Sequence, residues 1–251
     1  MGTDTTRLLV IAGVISLASP AAAQLVSSGG FESANPAGTG SLTAYDSGIT
    51  LGGGGWTAVG PSGGAGSATV FAISGTYAES GVTFNTSAGG NAVALDLTGA
   101  GGATPGPGAT AGNVGVGSGV TQTLTGLDTS TPYTLSFQVG RASDGTANGP
   151  YGTDALYAAV VGLTLGGGPS PGGTFTNSTT TPSGGINWES FDYTFTPTGS
   201  TVTFTFTNQN LSSNYTGLDN VSLTPVPEPA AGGLLASAGL GVVWLIRRRC
   251  V

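Results

Sequence analysis

Alternation of large apolar residues with polar ones is the feature that most constrains how this chain folds. In the segments 133–139, 191–195 and 202–206, aromatic or aliphatic side chains occupy every second position, and polar residues, mostly threonine, stand between them. Similar rows occur at 93–97 and 157–165. Successive side chains of a β-strand point to opposite faces, so this period of two predicts strands with one buried face and one solvated face.

Segments rich in glycine, proline, serine and asparagine separate these rows. Glycine accounts for 47 of the 251 residues, and the turn-forming stretches 99–108, 166–173 and 179–185 are typical of this composition. Many short strands joined by such turns indicate an antiparallel sandwich or jelly roll. We see no repeat of 20–50 residues that would favour a propeller or solenoid. We therefore predict an all-β fold, with one antiparallel β-sandwich domain spanning residues 24–225.

The missing residue types exclude several classes of chemistry. The chain contains no lysine and no histidine. It therefore has no Walker-A phosphate loop, no lysine for a Schiff base, no Ser-His-Asp triad and no imidazole ligand for zinc. Residues 24–229 carry one arginine, Arg141, against eleven acidic residues, so we expect no nucleic-acid partner. Neutral glycans, calcium or protein partners fit this charge better.

The N-terminus is typical of an export signal. Arg7 precedes the apolar stretch 8–18, and three alanines end at Ala23. A cationic start, a short apolar core and an A-x-A site predict a signal peptide over residues 1–23, cleaved after Ala23. The alternative is a buried N-terminal helix.

The C-terminus, residues 226–251, has three parts in a fixed order: a Pro-Glu-Pro motif, an apolar run over 230–246, and an arginine cluster. The run is long enough for one short transmembrane helix, and the arginines would hold its end on the cytoplasmic side. This order resembles the PEP-CTERM sorting signal of Gram-negative bacteria. The resemblance implies processing by an exosortase-type enzyme, transient anchoring in the inner membrane, and a host that makes exopolysaccharide and biofilm. A plain tail anchor is the alternative. The sorting-signal residues are Pro227, Glu228, Pro229, Arg247, Arg248 and Arg249.

The order of landmarks in the body resembles the galactose-binding-like jelly rolls, which include bacterial carbohydrate-binding modules. These landmarks are Phe31-Glu32, Gly55-Trp56, the segment 94–97, the 120–137 region, the Trp188 segment and the final strand at 217–223. The resemblance spans roughly residues 25–224. It implies a structural calcium ion between the first and last strands, with Glu32 and Asp219 as its acidic ligands, and calcium prefers such oxygen ligands. Alternatively, Asp219 caps a turn and Glu32 is solvated.

Exposed aromatic residues are candidates for contacts with sugar rings. Trp56 and Trp188 are better explained as core residues, because large aromatic side chains usually fill the interior of a jelly roll. Two tyrosines in polar surroundings, each close to an asparagine that could bond hydroxyl groups, form the predicted ligand site. Its residues are Tyr151, Asn148, Tyr215 and Asn214.

Paired carboxylates could instead catalyse glycoside hydrolysis. Glu189 and Asp192 are three residues apart, so a strand would place them on opposite faces. Asp144 and Asp154 flank a predicted loop, where acidic residues are common.

The hypothesis from sequence is an exported, non-catalytic protein of the cell surface, outer envelope or extracellular matrix that binds carbohydrate or exopolysaccharide. It is not expected to be an enzyme. One alternative is a purely structural surface or biofilm protein without a ligand pocket. A lesser alternative is a glycan hydrolase that uses Asp144 or Asp154.

Overall fold

The computed structural model of the protein describes residues 25–34, 42–60, 70–79, 82–87, 91–95, 118–143, 159–166, 172–181, 183–209 and 216–227. In these ranges the chain forms thirteen strands and one turn of 3-10 helix at Glu32–Ala34. The six-stranded sheet has the spatial order β1 (Leu42–Tyr45), β3 (Val70–Ser74), β6 (Asn91–Leu95), β13 (Thr216–Pro225), β8 (Tyr133–Ser143), β11 (Gly185–Phe195). The five-stranded sheet has the order β10 (Gly173–Asn177), β9 (Ala159–Gly166), β12 (Thr201–Asn208), β7 (Gly119–Thr125), β2 (Thr57–Val59). A separate pair consists of β4 (Thr76–Glu79) and β5 (Val82–Asn85).

The described strands pair antiparallel, and the predicted antiparallel β-sandwich is confirmed. The predicted signal peptide and the apolar run 230–246 lie outside the described residues. Within the residues that are described, we find no helix with the length and apolar character needed to cross a membrane.

The two sheets pack face to face through one apolar core. Phe204 and Phe206 of β12 are fully buried, while Thr205 between them turns away, as the alternation predicts. Phe137 of β8 meets Phe206 edge-on, with ring centroids 5.0 Å apart, and meets Phe175 of β10 at 4.9 Å. Burying a phenylalanine stabilises a fold by about 1.5–3 kcal/mol, so these contacts hold the sheets together.

Trp56 is a core residue, as predicted. Its side chain is 1% exposed, and its ring lies 5.2 Å from that of Phe31 and 6.2 Å from that of Phe206. The indole Nε1 donates a hydrogen bond to the carbonyl of Ser27 at 3.1 Å. The segment 25–34 therefore packs on the sandwich through an aromatic ring and a satisfied polar group.

The segment 25–34 lies against β13. Val221 N donates to the carbonyl of Gly29 at 2.9 Å, and Leu25 N donates to the carbonyl of Leu223 at 3.4 Å. The start of the described body and its last strand are therefore neighbours, as the predicted calcium site requires.

The opposite face of the six-stranded sheet carries a second, smaller apolar cluster. There β5 covers part of the sheet, and Thr83 N donates to the carbonyl of Gly184 at 2.9 Å, just before β11 begins. Trp188 belongs to this cluster rather than to the main core, which differs from the sequence prediction. The buried members are Ile73, Val82, Phe84 and Ala142, with Tyr77, Ile186 and Trp188 packed against them.

Candidate functional site

Two glycines lie side by side on the outer face of the six-stranded sheet. Gly140 of β8 lies directly opposite Gly217 of β13 on one side and Trp188 of β11 on the other. Residues directly opposite each other in antiparallel strands share a face. The two glycines therefore form a depression, which we call the glycine slot, and Trp188 stands at its end.

The ring of Trp188 lies in the glycine slot. A Cβ atom on Gly140 would be 2.9 Å from Cζ3 of Trp188, and a Cβ atom on Gly217 would be 2.6 Å from its Cη2. Both distances are shorter than carbon atoms tolerate, so the benzenoid edge of the indole rests on the backbone of β8 and β13. Glycine inside a strand weakens it, and it often marks a place where another group approaches closely.

The nitrogen end of the same ring is also fixed. Trp188 Nε1 donates a hydrogen bond of 2.9 Å to the carbonyl of Asn85, the last residue of β5. The side chain remains half-buried. The slot is therefore bounded by β5 above, by the backbone of two glycines below, and by apolar residues of the second cluster beside it.

A polar corner adjoins the glycine slot; it consists of Asp219, Ser87, Asn220 and Gln138. Asp219 follows Gly217 by two residues and lies opposite Gln138. The register of β13 against β8 shifts between Asp219 and Ser222, and Asn220 has a positive φ of 52°. This bulge turns the Asn220 side chain toward the same corner, because bulges redirect side chains at the edge of regular pairing.

Hydrogen bonds link all four residues of the polar corner. Asp219 Oδ2 accepts from the Ser87 hydroxyl at 2.6 Å and from Ser87 N at 3.1 Å, while its Oδ1 accepts from Asn220 N at 2.7 Å. Asn220 Nδ2 donates to Gln138 Oε1 at 2.9 Å and to Ser87 Oγ at 3.2 Å. Asp219 is 0% exposed, and three donors face its carboxylate. The site thus places a buried, hydrogen-bonded carboxylate beside an aromatic, apolar slot.

Of the predicted calcium ligands, Asp219 lies in this corner, whereas Glu32 is exposed on the 3-10 helix. Glu32 Oε1 and Asn220 Oδ1 lie 3.4 Å and 3.9 Å from the position that a Cβ on Gly30 would take. In the part of the chain that the structure describes, no group of three or more His, Cys, Asp or Glu side chains could hold a metal ion.

Several predicted site residues lie outside the described residues. Of the sorting-signal residues, Pro227 is described, as an exposed residue after β13. Glu189 and Asp192 do lie on opposite faces of β11: they stand opposite the inward Val139 and the outward Ser136, respectively. The residues that cannot be placed are Ala23, Asp144, Asn148, Tyr151, Asp154, Asn214, Tyr215, Glu228, Pro229, Arg247, Arg248 and Arg249.

Sequence reasoning missed Gly140, Gly217 and Ser87. Each glycine looks like one of many turn residues until the strand register places the two opposite each other. Ser87 is 132 positions from Asp219, and no spacing pattern connects them.

A comparison with known families covers nearly all of the described residues. The family model HpiC1-like, described as HpiC1 cyclase, matches residues 23–224. This chain belongs to the HpiC1-like cyclase family. The matched range contains both the glycine slot and the polar corner.

Solved structures agree on the fold. The Stig cyclase FisC from Fischerella sp. TAU, in complex with (3Z)-3-(1-methyl-2-pyrrolidinylidene)-3H-indole, is 18% identical, with a TM-score of 0.55; the match covers 82% of this chain and 99% of that one. A cyclase from Fischerella sp. TAU in complex with 4-(1H-indol-3-yl)butan-2-one is also 18% identical, with a TM-score of 0.54. That match covers 83% of this chain and 100% of the cyclase chain. No curated protein matches this HpiC1-like chain.

The family membership corrects the function expected from sequence. The chain was expected to be a non-catalytic surface or matrix protein that binds carbohydrate, and not an enzyme; both expectations are wrong, because the matched family is one of cyclases. The expected exosortase sorting and carbohydrate binding gain no support from the family match. The export prediction and the sorting-signal resemblance depend on termini outside the described residues, so the location remains a prediction.

Proposed function

We propose that this protein is a cyclase that closes a ring within a small, unsaturated, aromatic substrate. The observation that carries the proposal is the HpiC1-like cyclase match over residues 23–224. The glycine slot and the polar corner support it, because a cyclase must hold a flexible apolar molecule in one folded conformation and stabilise the charge that develops as the ring closes.

Indole-bearing compounds are the proposed substrate class. The two Fischerella complexes described above contain indole compounds. In this chain the slot already accommodates an indole ring, that of Trp188, and supplies the Asn85 carbonyl as an acceptor for its N–H group.

Asp219 supplies the proposed electrostatic contribution. When an electron-rich ring attacks within its own molecule, positive charge develops on that ring. A buried carboxylate held by three fixed donors needs little reorganisation to stabilise such charge, and removing one preorganised group of this kind typically lowers the rate by about 10²–10³-fold. Ser87 and Gln138 hold the surrounding hydrogen bonds in place.

The test uses purified protein and a panel of indoles with unsaturated side chains. Ring closure leaves the mass unchanged, so products are sought by chromatography with mass detection as isomers with new retention times. Binding of 4-(1H-indol-3-yl)butan-2-one is measured in parallel by calorimetry. We expect Asp219→Asn to lower turnover by at least about 100-fold.

Asp192→Asn is the matched control. Asp192 is an exposed aspartate on the same outer face, bonded by the Ser136 hydroxyl at 2.6 Å, and its replacement should leave turnover unchanged. If no panel member is isomerised and the indole ketone does not bind saturably, the proposed function is contradicted.

We also propose that calcium binds where segment 25–34 meets β13, with Glu32 and Asp219 among its ligands. The Gly29–Val221 hydrogen bond brings the two segments together, and the Glu32 carboxylate and Asn220 amide oxygens both flank Gly30. Carboxylate and amide oxygens are suitable ligands for this ion, so the donor set fits it. When bound, calcium would join the two segments and so stabilise the native fold.

Chelation tests the calcium proposal. A ligand that binds only the native state raises the melting temperature, so EDTA should lower the midpoint of the calcium-loaded protein by several degrees. Glu32→Gln should remove most of that difference. A midpoint that does not respond to EDTA or to added calcium would reject the site.

A further inference from the structure

The glycine slot holds the side chain of Trp188, and the slot is shaped for that ring. We propose that it is a binding subsite for a planar aromatic ring carrying an N–H group, and that Trp188 occupies it in competition with the ligand. The inference rests on the proposed function for the identity of the ligand, an indole, but the shape of the slot is a property of this chain alone.

The floor of the slot is the first argument. Two glycines directly opposite each other in the interior of a sheet reduce its stability, since glycine loses the most conformational freedom on folding. Their positions are explained by contact, because a Cβ at either position would run into the indole edge at 2.6–2.9 Å. The sheet therefore leaves the thickness of one ring open above its backbone.

The polar groups around the slot are the second argument. The Asn85 carbonyl accepts from Trp188 Nε1 at 2.9 Å, so an indole ligand in the same pose would find an acceptor for its own N–H group. Asp219 follows Gly217 on the same face by two residues, which is about 7 Å along a strand. A ring in the slot would thus lie near the carboxylate proposed to stabilise its charge.

The location of Trp188 is the third argument. It lies on β11, the last strand in the order of the six-stranded sheet as far as that sheet is described, and its side chain is half-buried. It packs in the smaller cluster rather than in the main core. Displacing its ring would break the hydrogen bond to the Asn85 carbonyl but would leave the interface between the two sheets intact.

Free indole is the probe for the subsite. In Trp188→Gly the part of the slot that the indole ring fills should be vacant, with Ile186 still beside Gly140, and indole at about 100 times its Kd should raise the melting temperature by roughly 5–10 °C. Wild-type protein should show almost no shift. 1-Methylindole, which cannot donate to Asn85, should be weaker, and Trp188→Gly with Gly140→Val should not respond to indole because the valine fills the floor.

A second measurement tests the competition. If Trp188 must leave before the ligand enters, Trp188→Ala should bind 4-(1H-indol-3-yl)butan-2-one at least about tenfold more tightly than wild type, because a competent state populated at about 10% or less weakens apparent affinity by that fraction. Equal or weaker binding would show that Trp188 is a wall of the site and would overturn the competition.

If Trp188→Gly does not fold, wild-type protein labelled with 5-fluorotryptophan replaces it. Adding the indole ketone should shift the fluorine resonance of Trp188 and leave that of the core residue Trp56 unchanged. If neither resonance shifts, the subsite proposal is overturned. If Trp188→Gly folds but indole does not raise its melting temperature, the subsite proposal is also overturned. The cyclase proposal is then still judged by the turnover assay on wild-type protein. Rescue without any turnover would instead count against the cyclase proposal alone.

Discussion

Gly217 is important to the site because it has no side chain. A Cβ at this position would lie 2.6 Å from Trp188 Cη2 and 3.2 Å from Gly140 Cα, and the second of these neighbours is backbone that cannot move aside. Gly217 is the second residue of β13 and pairs with Ala94 of β6 and Gly140 of β8.

We therefore predict that Gly217→Ala destabilises the protein by about 1–3 kcal/mol, the usual effect of adding a methyl group to a packed site. Urea unfolding gives the free energy, and tryptophan fluorescence should report the displaced Trp188 ring. Gly199→Ala is the control, because a Cβ there meets nothing within 4 Å. Equal stability of Gly217→Ala and wild type would show that the ring does not rest on this backbone.

At this scale the sequence predicts little of the site. Asp219 could be singled out because the final strand resembles a known pattern, whereas Ser87 and Gln138 could not. Their roles depend on the register between β8 and β13 and on the bulge at Asn220, and neither is encoded in a local spacing.

Among the elements, β1 is joined to the 3-10 helix through the side chain of Tyr45. The Tyr45 hydroxyl donates to the carbonyl of Ala34 at 2.7 Å, and burial raises the pKa of Tyr45 above its usual range. The bond needs the protonated phenol. Its contribution is complete below the unfolded pKa of about 10, and it is lost as pH rises through the higher pKa of the folded protein.

Tyr45→Phe should accordingly lower the free energy of unfolding by about 1 kcal/mol at neutral pH. The difference between wild type and variant should shrink as the pH is raised above 10, which urea titrations from pH 7 to 11 can follow. A difference that stays constant over this range would mean that the hydroxyl does not hold β1 to the helix.

The strands themselves were predictable where the alternation is strong. The rows at 133–139, 191–195 and 202–206 all lie in strands, since threonine outside and aromatic residues inside satisfy both faces. The β4–β5 pair was not predicted, because four-residue strands carry too few alternations. Without that pair the sequence favours a core position for Trp188, whereas in the structure β5 covers the outer face and so creates the second cluster.

For the whole molecule, the sequence pattern and composition predict the fold correctly, but the predicted non-catalytic function is wrong. The absence of histidine and lysine does exclude triads, imidazole zinc sites and Schiff bases. Ring closure within one substrate needs none of these groups. The proposed site relies instead on shape, aromatic surface and one buried carboxylate, and a low content of charged residues is no argument against such an enzyme.

The placement of β13 has a consequence for synthesis. This strand lies between β6 and β8, although it is the last of the described strands to leave the ribosome. About 80 residues separate the end of β8 from the end of β13, and translation at roughly 5–20 residues per second makes that a delay on the order of ten seconds. Throughout this interval the nascent chain presents two unpaired strand edges, β6 and β8, which a holding chaperone or a neighbouring polysome product can reach before the protein's own strand does.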